Sequence, residues 1–457
     1  MRAADITHRT FETSIRAQLI SPPTLLSVLL IIYVANPPVT MVQKPRRRDV
    51  LKGMGAAGAV ALAGCLGGSD GDTIEMGLLM GVTGALEQLG PPIRDGAQAA
   101  ATQIDDSDNG WSVDTQFEDT ETNPQTGIEG AQAVVDAGYP MFVGALASDV
   151  SLPVTRDVTL EEGVVQMSPA STAVEYSTLD SDLDQTLTWR TTPSDAFQGP
   201  VAAQIARNRI GAESVSTLAR DDPYGRGLSE AFVDAFEEDG GTVEEELLID
   251  PSNSSFTSQL ETALSANPDM LYIVAFPEEG QNVFRDFYQE FDQSDLPILV
   301  PDGLQDDALP VDSGQGVETF ANVTGTGPGI SDDIASGLET YQEQVDQDFV
   351  FVREAYDAAA VLSLAYAASG SGEPGDIQAE IQNVTNPNDG EEITADNLAE
   401  GVEMADNGDQ VTYNGVSRPL EFDENGDVAT PVYEYFGWGT NDEGDPAVET
   451  IETIVGE

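Results

Sequence analysis

Between residues 73 and 300, short apolar segments of strand length alternate with segments of helical period, and the alternation runs through twice. Residues 73–80 have the apolar density of a buried strand, and residues 91–105 place Ile93, Ala97, Ala100, Ala101 and Ile104 on one helical face. Residues 111–117 alternate as a half-buried strand does. Asn123-Pro124 then offers an N-cap and a first-turn proline to a helix carrying Ile128, Ala131, Val134 and Val135, which Gly138 ends. Strands at 141–143 and 164–167 flank a further helix that runs up to Glu162. The second run has strands at 214–219, 243–249, 270–275 and 297–300, separated by helices at 227–239, 256–266 and 279–291. Consecutive parallel strands need a helical crossover, so this rhythm implies two parallel-sheet α/β lobes. Arg190-Thr191-Thr192-Pro193-Ser194-Asp195 reads as a crossing between them. The glycine-rich 324–329 stretch reads as a second crossing, before a long helix at 353–368 that returns to the first lobe. Residues 371–410 are the most polar part and read as short helices.

From Cys65 onward the chain carries 78 acidic and 10 basic side chains, a net of −68, and all ten bases are arginine. The two lysines, Lys44 and Lys52, and the only histidine, His8, precede Cys65, which is the only cysteine. Such a chain builds no Ser-His-Asp triad, Cys-His pair, Schiff base or Cys/His zinc site. Carboxylate pairs for glycoside hydrolysis or calcium stay chemically open, but among 78 acids chance pairs are inevitable. Asp423-Glu424-Asn425-Gly426-Asp427 lacks the ligand spacing and closing glutamate of a calcium loop and reads as a turn. Gly325-Thr326-Gly327-Pro328-Gly329 lacks the Lys-Ser/Thr of a phosphate loop and reads as a hinge. No catalytic residue, metal site or cofactor is assigned. A surface this acidic repels nucleic acid and anionic lipid headgroups. It is at home in brine, where at about 1 M salt the Debye length is ~3 Å and self-repulsion is screened. With 40% hydrophobic residues in regular segments, the chain buries a core rather than staying disordered.

The N-terminal part is of another kind. Arg46-Arg47-Arg48-Asp49-Val50-Leu51-Lys52 precedes an apolar, small-residue run over 53–64 and the tetrapeptide Leu62-Ala63-Gly64-Cys65. This resembles a twin-arginine export signal joined to a lipoprotein processing box, with Cys65 as the lipid attachment point. The run is shorter than the ~20 residues a spanning helix needs. Residues 65–72, with Gly67-Gly68-Ser69-Asp70-Gly71-Asp72, form a flexible tether. Residues 1–40 fit neither pattern, and Met41 would set the arginine pair close to an N-terminus, so they read as a doubtful extension ahead of a signal at 41–64.

Seven short motifs follow in a fixed order. They are Gly81-Val82-Thr83-Gly84-Ala85-Leu86, Pro91-Pro92-Ile93-Arg94-Asp95-Gly96-Ala97, Glu118-Asp119-Thr120, Val143-Gly144-Ala145-Leu146-Ala147-Ser148, Ser168-Pro169-Ala170-Ser171-Thr172, Asp221-Asp222-Pro223-Tyr224-Gly225 and Pro301-Asp302-Gly303. Together they resemble the leucine/isoleucine/valine-binding family, the extracytoplasmic solute-binding components of ABC importers, over nearly all of residues 73–440. The resemblance implies a periplasmic-binding-protein-like α/β fold: two Rossmann-like lobes joined by three hinge crossings and closing on a ligand. The expected division is 73–192 with 325–429 for the first lobe and 193–324 with 430–457 for the second.

The same resemblance implies a ligand site. Ser148 corresponds to a hydroxyl that binds an amino acid's carboxylate, and Ala170 and Thr172 to backbone and hydroxyl contacts with the same head group. Tyr224 matches a cleft tyrosine of the second lobe, and Asp302 a carboxylate that pairs with the ligand's ammonium. Without the resemblance, Ser148 is a helix cap, Thr172 a turn residue, Tyr224 a loop aromatic under the Pro223 turn, and Pro-Asp-Gly a turn. Ala275, with Phe276 adjacent, stands near where members have an aromatic residue facing the ligand, and Leu89 stands where one occurs in the N-terminal cleft loop. The implied function is capture of a small, branched-chain or apolar amino acid for an ABC permease, by a non-enzymatic protein held to the membrane through lipid. An amide, urea or aromatic solute is the alternative ligand, as some relatives bind these, and a ligand-sensing receptor module the alternative role. Three sequons, at Asn253, Asn322 and Asn383, permit glycosylation.

Overall fold

The computed structural model describes residues 72–456 except 182, 184, 332, 333, 335 and 442, so the leader, Cys65 and most of the tether lie outside the described residues. The chain opens with β1 (Thr73–Met80), α1 (Gly90–Asp105), β2 (Ser112–Asp119), α2 (Pro124–Ala137), β3 (Met141–Gly144), α3 (Ser148–Val154), β4 (Val165–Ser168) and β5 (Thr188–Arg190). These strands form one parallel sheet in the order β2-β1-β3-β4-β5. Strands covered on both faces read as unbroken apolar runs. Accordingly β3 and β4 are wholly buried, and the edge strand β2 is not. The α2 start follows from Asn123, whose side-chain oxygen accepts the N–H groups of Gln125 at 2.9 Å and Thr126 at 3.2 Å. Gly138, at φ +101°, supplies the left-handed residue that ends the helix.

After β5 the chain crosses through residues 191–194 to α4 (Asp195–Ile205). It continues as β6 (Ser214–Arg220), α5 (Pro223–Glu238), β7 (Thr242–Ile249), α6 (Thr257–Ser265), β8 (Met270–Val274), α7 (Pro277–Glu290), β9 (Ile298–Val300) and β10 (Val323–Pro328). Next come α8 (Val352–Ser369), α9 (Pro374–Thr385), β11 (Glu391–Ile393), α10 (Leu398–Asp406) and β12 (Val411–Tyr413). The almost wholly buried α8 packs along α1, which returns the chain to the first sheet. A last crossing leads to β13 (Val432–Thr440) and β14 (Pro446–Val455). The second sheet has the order β14-β13-β10-β9-β8-β6-β7.

Three expectations need correction. The 324–329 stretch is not a hinge loop: all but its last residue lie in β10, paired with β9 on one side and β13 on the other. Its glycines serve close approach rather than flexibility. A Cβ on Gly325 would lie 2.2 Å from the Phe436 ring, and one on Gly327 would lie 2.1 Å from Gln305 Oε1. The second crossing therefore begins at Gly329, and residues 325–328 belong with the second sheet. That sheet is also mixed, because β13 runs antiparallel to both β10 and β14. Finally, α5 starts at Pro223 rather than 227, since Asp222 caps it by accepting the Gly225 N–H at 2.7 Å. The 423–427 segment is a turn, with Asp423 Oδ1 accepting the N–H groups of Asn425 and Asp427. Of the sequons, Asn253 is exposed, while both ends of the Asn322 side chain are engaged, with Tyr288 and the Leu296 carbonyl.

Candidate functional site

Between the C-terminal ends of the two sheets lies a narrow cavity of about 20 Å³. Parallel sheets bind ligands at this end, where the turns that follow each strand converge. Ser148, Ala170, Thr172, Tyr224 and Asp302 all line it. Four of the five are buried, at 1–3% exposure, so the cavity is closed over on both sides.

On the first-sheet side, Ser148 follows β3 and opens α3. It is not the helix cap: that position belongs to Ala147, which makes no side-chain capping bond. Instead, Ser148 Oγ accepts the Ala173 N–H at 3.3 Å, which leaves its own O–H to donate. Ala170 and Thr172 sit in the turn after β4, and Thr172 is buried. The Ala170 N–H donates to Ser168 Oγ at 3.3 Å.

On the second-sheet side, Tyr224 occupies the first turn of α5 rather than a loop. Its hydroxyl accepts the Gly303 N–H at 3.1 Å and donates to Asp302 Oδ1 at 3.3 Å. The same carboxylate oxygen accepts from Gln198 Nε2 at 2.7 Å. Burial pushes the Asp302 carboxyl up to about 6, against these hydrogen bonds, which favour the charged form. Asp195, in the first turn of α4, is fully buried nearby. Burial, reinforced by the charge of Asp302, holds its carboxyl well above the ordinary range. Among the described residues no basic side chain is hydrogen-bonded to either carboxyl.

The remaining lining of the cavity is mostly apolar. Leu86, Leu89, Ile93 and Leu146 come from the first-sheet side, with Phe276 and Phe351 closing the wall. Of the 275–276 pair it is Phe276 that lines the cavity, while Ala275 is buried and does not line it. Phe276 stacks on Tyr224, ring centroids 5.4 Å apart at 15°. The Arg220 guanidinium also lies over the Phe276 ring, 4.4 Å from its centroid, and is bonded to Asp222 and Glu279. Asp149, one residue after Ser148, looks across at this charged group. Burial and then the charge of Asp222 push its carboxyl to about 6, with Arg220 opposing. Gln88 donates to Asp312 Oδ2 at 3.1 Å and accepts from Gln281 Nε2 at 3.3 Å, which links the two sides directly.

Phe351 lines the cavity and escapes the sequence reading as a site residue, and Asp195, buried near Asp302 without lining the cavity, is visible there only as the end of a crossing. Phe351 takes φ +68°, a left-handed conformation costly for an aromatic residue and without a signature in the sequence. Among the described residues, no group of three or more His, Cys, Asp or Glu side chains is arranged to hold a metal ion.

Residues 73–398 match the family model described as periplasmic binding protein. A Leu/Ile/Val-binding protein homolog of Brucella suis is 25% identical over 338 residues, covering 72% of this chain and 87% of that one. A leucine-, isoleucine-, valine-, threonine- and alanine-binding protein of Pseudomonas aeruginosa is 25% identical over 320 residues, covering 69% and 84%. Among solved structures, a leucine-binding protein from Thermotoga maritima superposes with a TM-score of 0.68 at 23% identity, covering 83% of this chain and 98% of that one. A solute-binding protein of an ABC transporter from R. palustris, in complex with 4-hydroxybenzoate, gives 0.67 at 16% identity, covering 84% and 97%.

Proposed function

From the premise that this chain belongs to the periplasmic binding protein family, we propose that it captures a small amino acid with an apolar side chain outside the cytoplasm and delivers it to an ABC permease. The protein binds and releases its ligand without breaking a bond. One observation carries the reading: one cavity is lined by the Ser148 and Thr172 hydroxyl residues from the first-sheet side, the buried Asp302 carboxyl from the second, and aliphatic and aromatic side chains. That polarity matches a zwitterion with an apolar tail. An aromatic acid such as the R. palustris ligand has a carboxylate for Ser148 but no cation for Asp302, which would stay buried and unpaired. The roles follow the geometry: Ser148, Ala170 and Thr172 hold the carboxylate, Asp302 with Tyr224 the ammonium. The two sheets act as lobes that close on the ligand, hinged at residues 191–194, at the stretch beginning with Gly329, and at residues 429–431. Calorimetry with leucine, isoleucine, valine and phenylalanine, beside urea, small amides and 4-hydroxybenzoate, tests this. We expect heat from the amino acids; heat only from an amide or urea overturns the ligand class.

The same proposal covers the leader and the medium. Export by the arginine pair, followed by lipid attachment at Cys65, would tether the binding unit to the outer face of the membrane, which suits delivery to a permease. No helix among the described residues is long and apolar enough to cross a membrane. Cys65→Ser should release the protein from the membrane fraction or leave the precursor uncut, and normal cleavage and anchoring of that variant would remove the lipoprotein reading. The net charge of −63 over the whole chain fits a high-salt habitat, so binding is best measured in multimolar KCl.

A further inference from the structure

We propose that Arg190 is a positioning residue for carboxylate recognition, holding the 171–173 turn in the shape that presents Ser148 and Thr172 to the ligand. Arg190 is fully buried at the end of β5 and lines no part of the cavity. Its Nη1 donates to three consecutive carbonyls: Ser171 at 3.2 Å, Thr172 at 2.9 Å and Ala173 at 3.0 Å. Nη2 donates to Ser177 Oγ and Nε to Asp427 Oδ1, each at 2.6 Å. All three guanidinium nitrogens are thus engaged, and Nη1 alone holds the three carbonyls of the turn after β4.

The consequence follows from the geometry of a trans peptide, in which the N–H points opposite to the C=O of the same unit. Three carbonyls drawn onto one cation turn the next N–H groups, those of residues 172, 173 and 174, away from it. One of them is placed directly: the Ala173 N–H meets Ser148 Oγ. The peptide joining Thr172 and Ala173 therefore has the guanidinium at its oxygen and Ser148 at its nitrogen. Because Ser148 accepts there, its proton is directed to a different acceptor. The Thr172 carbonyl also takes the Asp195 N–H, at 2.8 Å, so the start of α4 is fixed by the same atom. Asp427 anchors the guanidinium from the turn shortly before the last crossing. A lysine at position 190 would keep the charge but has no planar fork to span three carbonyls and a carboxylate.

The inference rests on the amino-acid reading of the cavity, so its test has an arm that needs no ligand. In ligand-free Arg190→Lys, hydrogen exchange at residues 172–174 should quicken about tenfold while the core strand β8 keeps its protection. Calorimetry should show leucine affinity falling about tenfold and leucinamide affinity changing less than about twofold, because only the first presents a carboxylate. If Arg190→Lys does not fold, Asp427→Asn loosens the same guanidinium and should move both readouts in the same direction by about threefold. Equal losses for leucine and leucinamide, or unchanged exchange at 172–174, overturn the inference. A wild type that binds neither compound refutes the amino-acid reading instead, and the exchange result then decides whether Arg190 shapes the turn.

Discussion

Replacing Asp302 by alanine should weaken leucine binding by about a hundredfold or more, and it should do so without lowering the melting temperature of the ligand-free protein. The carboxylate is 3% exposed and lines the closed cavity, so a bound ammonium has little water to fall back on. Removing one partner of a buried charge pair costs on the order of 3 kcal/mol, and 2.8 kcal/mol is already about a hundredfold in Kd. The groups that hold Asp302 survive its loss. Gln198 Nε2 keeps the Thr326 carbonyl at 3.0 Å, and Tyr224 keeps the Gly303 N–H. Ser148→Ala should cost less, about 1 to 2 kcal/mol, since it removes one hydroxyl donor among several groups around the carboxylate. Calorimetry and ligand-free melting of the two variants check this together. Unchanged affinity in Asp302→Ala sinks the assignment of that carboxylate, and a collapse of melting gives it a structural role instead.

Much of the fold is legible because parallel strands and their crossover helices carry opposite periodicities. The buried runs at β1, β3 and β8, the Asn123 cap and the Gly138 stop each state their own structure locally. The misreadings share a cause. Gly325 and Gly327 look like a hinge, but their bare backbone is what Phe436 and Gln305 pack against, and those partners lie more than 100 and about 20 residues away in sequence. The β13–β14 hairpin has no clear sequence signal because an antiparallel edge pair with exposed glutamates lacks the dense apolar run of an inner strand. The site divides in the same way. The residues that converge on the cavity are visible in short motifs at strand ends, where chain order fixes the chemistry. Asp195, Phe351 and Arg190 act through neighbours that only the closed tertiary structure brings together.

Lowering the pH should weaken amino-acid binding and stabilise the ligand-free protein at once, and these opposite trends identify the buried carboxyls. Asp302 has its carboxyl raised to about 6 by burial, and Asp195 near it is held well above the ordinary range, by burial and then by the charge of Asp302. An ammonium pairs with a carboxylate and not with the neutral acid. Affinity should therefore hold above pH 7 and fall through pH 6 by about tenfold per unit below it, while the ligand's own carboxyl, ordinarily near 3.5, stays ionised. For stability the sign reverses. A carboxyl whose folded value lies above its unfolded value binds more protons in the folded state, so its contribution is fully present below the unfolded value and is lost as pH rises through the folded one. Asp149 and Asp306, each at about 6, and Glu354 at about 7 add to that trend, all through burial first. Between pH 8 and pH 5 the ligand-free melting temperature should rise as the ligand-induced shift shrinks. In Asp302→Ala the affinity profile should flatten, because the group that titrates against the ammonium is gone, while the rise in ligand-free melting persists through the remaining acids. A wild-type affinity that stays constant from pH 8 to pH 5 would mean that the ligand brings no cation to Asp302.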